Sequence, residues 1–287
     1  MVSYIHLALK NDNKELKIDD DRYRLIEISG IHAADFVIND TSHANHDGVF
    51  IYSQKVNKRY ITIKFDFSGD DFQQARREVI SFFNPKKQGE LIIDYSGVTK
   101  SIFYVVSSLD LQQANVYQVP SFEVELMCPD PYFKEVSDIK VDIVKWEGKF
   151  IFPLSIPQNN GVVFGVKTPN VMVNIFNEGD VSTGMNIKFM AAGQVVNPSL
   201  LNVNTGEFIK IEKTLERGEV VTVNTHQGNK KVISELNSVE QNIFNLFTYE
   251  STFFQLDPGD NIFRYDADLN LENLEISIYY NPRYLGV

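Results

Sequence analysis

The 287-residue sequence predicts a mainly β protein of two domains, a strand-rich first domain carrying one α-helix and a second domain built as a β-sandwich. Three observations lead there. Aromatic residues make up 12% of the chain, chiefly 21 Phe and 13 Tyr, and such side chains favour strands. Short runs of period-two alternation recur between turn-rich stretches, whereas a single segment carries the helical period. The length also exceeds that of an ordinary single domain.

The clearest strand is Tyr60–Phe67, where Ile61, Ile63, Phe65 and Phe67 share one face and Thr62, Lys64 and Asp66 the other. Shorter alternating or apolar runs predict strands at Arg24–Ile28, Leu91–Tyr95, Ile102–Val106 and Phe122–Cys128. Between them a helix is expected over about residues 70–84, because Phe72, Ala75, Val79 and Phe82 are spaced three and four apart. Ser68 or Asp70 caps it, Asp70 and Asp71 suit its positive end, and Asn84-Pro85 stops it.

After Lys134 the pattern breaks: charged and β-branched residues alternate, then Gly148, Pro153, Pro157 and Asn159-Asn160-Gly161 interrupt. This places the domain junction between Glu135 and Lys149, with domains at 1–140 and 141–287, and gives Trp146 a packing role there. Strands resume at Val171–Phe176, Asn186–Met190, Phe208–Ile211, Val220–Val223, Lys231–Glu235, Phe253–Leu256, Ile262–Tyr265 and Leu274–Tyr280, with one helical turn over Gln241–Phe247. Asp257-Pro258-Gly259-Asp260 fits a type II turn, expected to join the strands on either side as a hairpin.

Composition excludes several functions. With 38 acidic and 27 basic residues the net charge is -11, which opposes nucleic acid and anionic membrane surfaces. No apolar run approaches the roughly 20 residues that span a bilayer, and the first ten residues lack the pattern of a signal peptide. The only cysteine, Cys128, ends the apolar face of its strand and is expected to be a packed thiol in a protein folded under reducing conditions.

Candidate chemistry is sparse. Glu123 and Glu125 project from one strand face roughly 7 Å apart, a spacing within the reach of an inverting glycoside hydrolase. An apolar opposite face makes them the solvated side of the strand instead. Asp19-Asp20-Asp21 lacks the spacing and closing Glu of a calcium loop, His43 and His46 beside Asp47 lack further ligands, and His6, His32 and His226 join no motif. Nucleophile elbow, phosphate loop, dinucleotide fingerprint and paired C-x-x-C are all missing from the sequence. No catalytic residue, cofactor or metal is expected, and the protein is expected to act through contacts with other proteins.

Several of these features, taken in order, resemble the siphophage distal tail protein family, the ring-forming subunit at the tip of long non-contractile phage tails. In the first half the order is Arg59-Tyr60-Ile61-Thr62-Ile63, the helix with Arg76-Arg77, Asn84-Pro85, Gly89-Glu90-Leu91-Ile92-Ile93, and Cys128 running into Pro129-Asp130-Pro131-Tyr132-Phe133. In the second half Asn177-Glu178-Gly179-Asp180, Asn197-Pro198, Asn204-Thr205-Gly206-Glu207, Gly218-Glu219 and the segment Phe253–Asn261 with Pro258, Gly259 and Asn261 follow in the family's order. The resemblance implies a hexameric ring of N-terminal sandwiches with a galectin-like C-terminal sandwich displayed around it. Its implied partners are copies of itself, the tail tube protein, the baseplate hub or tail-associated protein and a receptor-binding protein. Its implied place is the virion tail tip, after synthesis in the bacterial host cytoplasm.

The galectin sugar-binding set is absent, since Trp146-Glu147 is followed by Gly148 and lies at the junction. A carbohydrate-binding module using Tyr279, Tyr280 and Tyr284 is the alternative from residue chemistry, and the Glu123/Glu125 hydrolase a second. The long, weakly periodic stretches Asp40–Asn57, with Phe50 and Tyr52, and Ser107–Pro120, with Tyr117, are the candidates for reaching a neighbouring subunit.

Overall fold

The computed structural model describes residues 4–12, 14–19, 22–42, 47–112, 120–143, 145–148, 165–168 and 172–287, with 145–148 and 165–168 described by their backbone. Two compact units result, one of residues Met1–Val136 with Arg283–Val287 and one of Ser137–Pro282. Asp20, Asp21, His43, His46, Tyr117 and the side chain of Trp146 lie outside the described residues.

The first unit runs β1 (Ile5–Asn11), β2 (Lys14–Ile18), β3 (Tyr23–Ser29), β4 (Phe36–Thr41), β5 (Phe50–Val56), β6 (Arg59–Phe67), α1 (Phe72–Phe82), β7 (Gln88–Tyr95), β8 (Val98–Gln112), β9 (Ser121–Cys128) and β10 (Phe133–Lys134). Its main sheet is antiparallel in the order β2-β1-β7-β8-β9-β6-β3. One face alternates as the sequence predicts: Ile61, Ile63 and Phe65 of β6 join Leu91 and Ile93 of β7 and Val124 and Leu126 of β9 in the core. Ala75, Val79 and Phe82 press α1 onto that face, and Phe72 stacks on Phe122 at 6.1 Å. The helix starts two residues later than expected, with Asp71 as its cap in place of Ser68 or Asp70, because the Asp71 carboxylate accepts the Gln74 N–H at 3.1 Å.

Two differences from expectation matter here. Strand β8 extends to Gln112 past a bulge between Val106 and Ser108, so the first part of the Ser107–Pro120 stretch is strand. The Asp40–Asn57 stretch belongs to a two-stranded hairpin, β4 with β5, which is not part of the main sheet.

The second unit contains β11 (Ile139–Asp142), β12 (Lys145–Gly148), β13 (Gly165–Thr168), β14 (Met172–Asn177), β15 (Met185–Ala191), β16 (Val195–Asn202), β17 (Phe208–Lys210), β18 (Thr214–Leu215), β19 (Val220–Asn224), β20 (Lys231–Leu236), β21 (Val239–Asn242), a 3-10 turn at Phe244–Leu246, β22 (Gly259–Leu269) and β23 (Leu274–Tyr280). Two antiparallel sheets, β11-β23-β15-β19-β20-β21 and β14-β22-β16-β17, share one core that includes Ile187, Phe189, Val221, Val223, Leu200 and Phe263. That is a β-sandwich. Strand β16 escapes prediction because Asn197-Pro198 reads as a break. Pro198, which has no N–H to donate, sits where the neighbour of β16 changes from β18 to β17.

The Asp257–Asp260 turn corrects an expectation. Residues 253–256 form no strand beyond an isolated bridge from Leu256 to Thr183, and β22 pairs with β14 and β16. The turn is a corner between separate neighbours and not a hairpin loop. Residues 283–287, which the sequence assigns to the second domain, return to the first unit, where β24 (Arg283–Tyr284) pairs with β10.

Glu219 is buried beside β20, accepting bonds from Lys213 Nζ, Ser234 Oγ and, at 3.0 Å, the Glu216 N–H. Burial alone would raise its pKa, but these donors and the Lys213 charge outweigh it and hold the carboxyl below its ordinary value. A depressed carboxyl stabilises the fold above its ordinary pKa and loses that contribution as pH falls through the lowered one. Glu219→Gln is therefore expected to cost about 1.5–3 kcal/mol in urea melts at pH 7, and the deficit to shrink below about pH 4. Burial pushes the Cys128 thiol up to about 12, so a thiol reagent at pH 8 is expected to label it only after unfolding.

Candidate functional site

Two features of the first unit stand out once its core is accounted for. The first is the β4–β5 hairpin. Its base is closed by the Asn57 N–H donating to the Asp35 carbonyl at 2.9 Å, and Asn39 Nδ2 donates across it to Ser53 Oγ at 2.8 Å. Phe36, Ile38, Val49, Phe50, Ile51 and Tyr52 are all more than half exposed, up to 67% for Tyr52. A bulge between Asn39 and Asp40 gives Tyr52 no partner residue in the register. Apolar side chains lie on both faces of the hairpin, so neither face is buried and no alternation betrays the strands in the sequence. An isolated hairpin is marginal in water, and clustered exposed apolar side chains mark an interaction surface.

The second feature is a socket around Arg59, whose side chain is 1% exposed at the start of β6. Its Nε donates to the Pro131 carbonyl at 2.8 Å, Nη1 to Gly30 at 2.7 Å and Ala33 at 3.3 Å, and Nη2 to Leu285. The guanidinium lies 4.8 Å from the centre of the Phe133 ring. Burial pushes its pKa down, and the charge of Asp35 opposes that. A guanidinium keeps its proton through such a shift, and its planar fork suits several carbonyls at once.

The sequence segment Pro129–Phe133 builds one wall of that socket. Pro129, with no N–H, follows the last residue of β9, and Phe133 is fully buried. Asp130 accepts from Arg283 Nη2 at 2.9 Å and Lys134 Nζ at 2.7 Å, while the Arg283 guanidinium stacks 4.0 Å over Tyr132. The charges of Lys134 and Arg283 outweigh burial and hold the Asp130 carboxyl below its usual range. Arg59 enters the sequence reading only as the first residue of the strand Arg59–Ile63, and Arg283 carries no pattern that marks it.

In the second unit Pro258, Gly259 and Asn261 form a self-closed corner. Gly259 has φ +88°, and the buried Asn261 amide donates to Asp257 O at 2.7 Å and Gly259 O at 2.9 Å while accepting from Asp257 N at 3.1 Å. Asn177 does the same one strand away, donating to Leu256 O at 3.0 Å and accepting the Gly179 N–H at 3.0 Å.

Among the described residues Glu123 and Glu125 build no shared site, and His6 and Asp19 line one shallow depression together with Asp94. Glu123 accepts from Gln112 Nε2 on the half-exposed face of β9, and Glu125 lies beside Thr62 and Ser108. Two surface depressions of about 410 and 290 Å³ near β1 and β2 include neither carboxylate. Among the described residues no three His, Cys, Asp or Glu side chains gather as a metal site, and no helix is long and apolar enough to cross a membrane. Of the three tyrosines, Tyr280 is buried with its hydroxyl donating to Phe176 O at 3.0 Å. Tyr284 packs in the first unit beneath Lys100, and Tyr279 is flanked by Lys140 and Lys188.

Comparison with known proteins gives two family models, a phage tail protein RIFT-related domain over residues 3–128 and a siphovirus-type tail component C-terminal domain over residues 178–284. Among solved structures the chain is similar to the SPP1 Dit protein (gp 19.1), described as a paradigm of the hub adsorption apparatus in phages that infect Gram-positive bacteria. The TM-score is 0.68 at 12% identity, covering 97% of this chain and 99% of that one. It is also similar to a chain of the phage P2 baseplate in its activated conformation with calcium, with TM-score 0.54, 11% identity and 100% of both chains covered. The strontium form of the p2 baseplate gives TM-score 0.53 at 10% identity, over 99% of this chain and 100% of that one. No curated protein sequence matches.

Lysine keeps the charge of Arg59 but cannot fork to four carbonyls. Arg59→Lys is expected to destabilise the first unit by about 3 kcal/mol, measured by urea unfolding followed through probes in that unit, with the second unit's transition unmoved.

Proposed function

Because the chain belongs to the siphophage distal tail protein family, whose two family models together span both units, we propose that it is a ring-forming subunit of the tail tip. The coarse role is that of a structural component of a phage tail or baseplate. Beyond that, the reading assigns the first unit to a homohexameric ring and the second to a sandwich displayed around it. The ring joins the tail tube to the baseplate hub or tail-associated protein, and a receptor-binding protein is a further partner of the displayed sandwich.

The observation that carries this reading is the β4–β5 arm. Six apolar side chains more than half exposed on one hairpin amount to on the order of 600 Å² of surface awaiting cover. A standard interface buries about 800 Å² per partner. An arm on one copy and its receptor elsewhere on the next make a head-to-tail contact, which repeats until the rotation closes a ring. Specificity then lies in shape over a broad surface.

Multi-angle light scattering and negative-stain microscopy over a concentration range test the reading, with six-fold rings expected for the unaltered chain. Ile38→Asp combined with Tyr52→Asp is expected to abolish the rings while leaving the urea midpoint of the single chain within about 0.5 kcal/mol. Rings that survive both substitutions would remove the arm from the contact. An unaltered chain that stays single even with its tail-tube and hub partners would remove the ring.

A further inference from the structure

The residues that close the Arg59 socket follow the second unit in the chain. Leu285 supplies one of its four carbonyls, the Val287 N–H donates to the Ile31 carbonyl at 3.1 Å, and Tyr284 and Val287 pack on the first unit's core. The Tyr284 hydroxyl donates to Glu135 Oε1 at 2.9 Å, with the Lys100 ammonium 3.6 Å over its ring. Gly286 is fitted to the spot: a Cβ there would lie 2.0 Å from the His32 carbonyl oxygen. Every one of these contacts is made within the first unit, yet the whole second unit, Ser137–Pro282, separates the segment from the rest of it.

We propose that residues 283–287 are a closing strap through which the first unit completes its fold only when the second unit has folded. The coupling follows from chain entropy. Bringing residue 283 back to residue 134 through an unfolded connection of that length carries a loop-closure cost. The folded second unit removes it, because its own two ends are already together. Ile139 pairs with Tyr280 at the edge of its sheet, and Asn281 Nδ2 donates to Asp138 Oδ1 at 3.2 Å. Folding of the second unit therefore raises the effective concentration of the strap at β10.

Without the strap, β10 loses β24 and Asp130 loses Arg283. One donor of a buried guanidinium is left without its carbonyl, which is costly. A chain that has made the first unit but not yet folded the second lacks a finished socket. On the ring reading above, on which this consequence rests, such a chain does not offer a complete subunit to the ring.

Hydrogen exchange of the full chain along a urea titration, read by mass spectrometry, tests the strap. Peptides covering 30–34 and 131–134 are expected to lose protection together with β15 and β19 of the second unit. In Gly286→Ala the same peptides are expected to open at lower urea, at least tenfold faster in the absence of denaturant, with the β15 and β19 transition unmoved. Should that variant fail to fold, Tyr284→Ala, which removes the hydroxyl bond, the ring beneath Lys100 and its packing on the core, is expected to act in the same direction. Protection at 30–34 that outlasts the second unit, or that the substitutions leave unchanged, overturns the strap. Particle mass measured on the same samples keeps the two readings apart. Rings with an unresponsive socket remove the strap alone, and a responsive socket without rings removes the ring alone.

Discussion

A guanidinium taken out of water has to find acceptors for a fixed fan of donors, and in this protein that requirement organises the first unit. Arg59 opens β6 and meets Cys128 across the sheet, so the position of its stem is set by strand pairing. Its head then dictates where three otherwise unrelated stretches of backbone must lie: the turn at Gly30–Ala33, the Pro131 peptide and the tail at Leu285. None of these stretches has a regular ladder of its own to satisfy its carbonyls. The cation and the loops are thus each other's solution, and Phe133 beneath the guanidinium fixes the plane in which the fork can lie.

What could be read from the sequence follows from which faces are buried. Strands with one core face, such as β6, β7, β9, β15 and β19, announce themselves by alternation, because their side chains meet two different solvents. Strands β1 and β2 alternate too, through Leu7 and Leu9 and through Leu16 and Ile18. Their polar positions carry His, Lys and Glu, and β2 is only five residues long. The β4–β5 arm has no buried face and therefore no period, and β16 is hidden by the proline it tolerates between two partners.

The candidate site was legible only in part, for a related reason. Asp-Pro-Tyr-Phe could be picked out as a motif, but its residues answer to Arg59, Lys134 and Arg283, one of which is more than 150 positions away. A satisfied arginine leaves no mark on sequence spacing. The asparagines in the second unit were easier, since an amide that folds back on its own turn has both partners within a few residues. Asn261 with Asp257 and Gly259 is the plainest case. Even so, the turn chemistry fixed only the local bend, and the strands flanking it took other neighbours because pairing is decided across the whole sandwich.

The packed thiol of Cys128 has a bearing on what happens to such a protein outside a cell. In aerated surroundings accessible thiolates oxidise and cross-link. Here the one thiol is enclosed at the end of β9, and burial pushes its pKa up to about 12. The fold therefore shields that thiol from the thiolate chemistry that ages exposed cysteines.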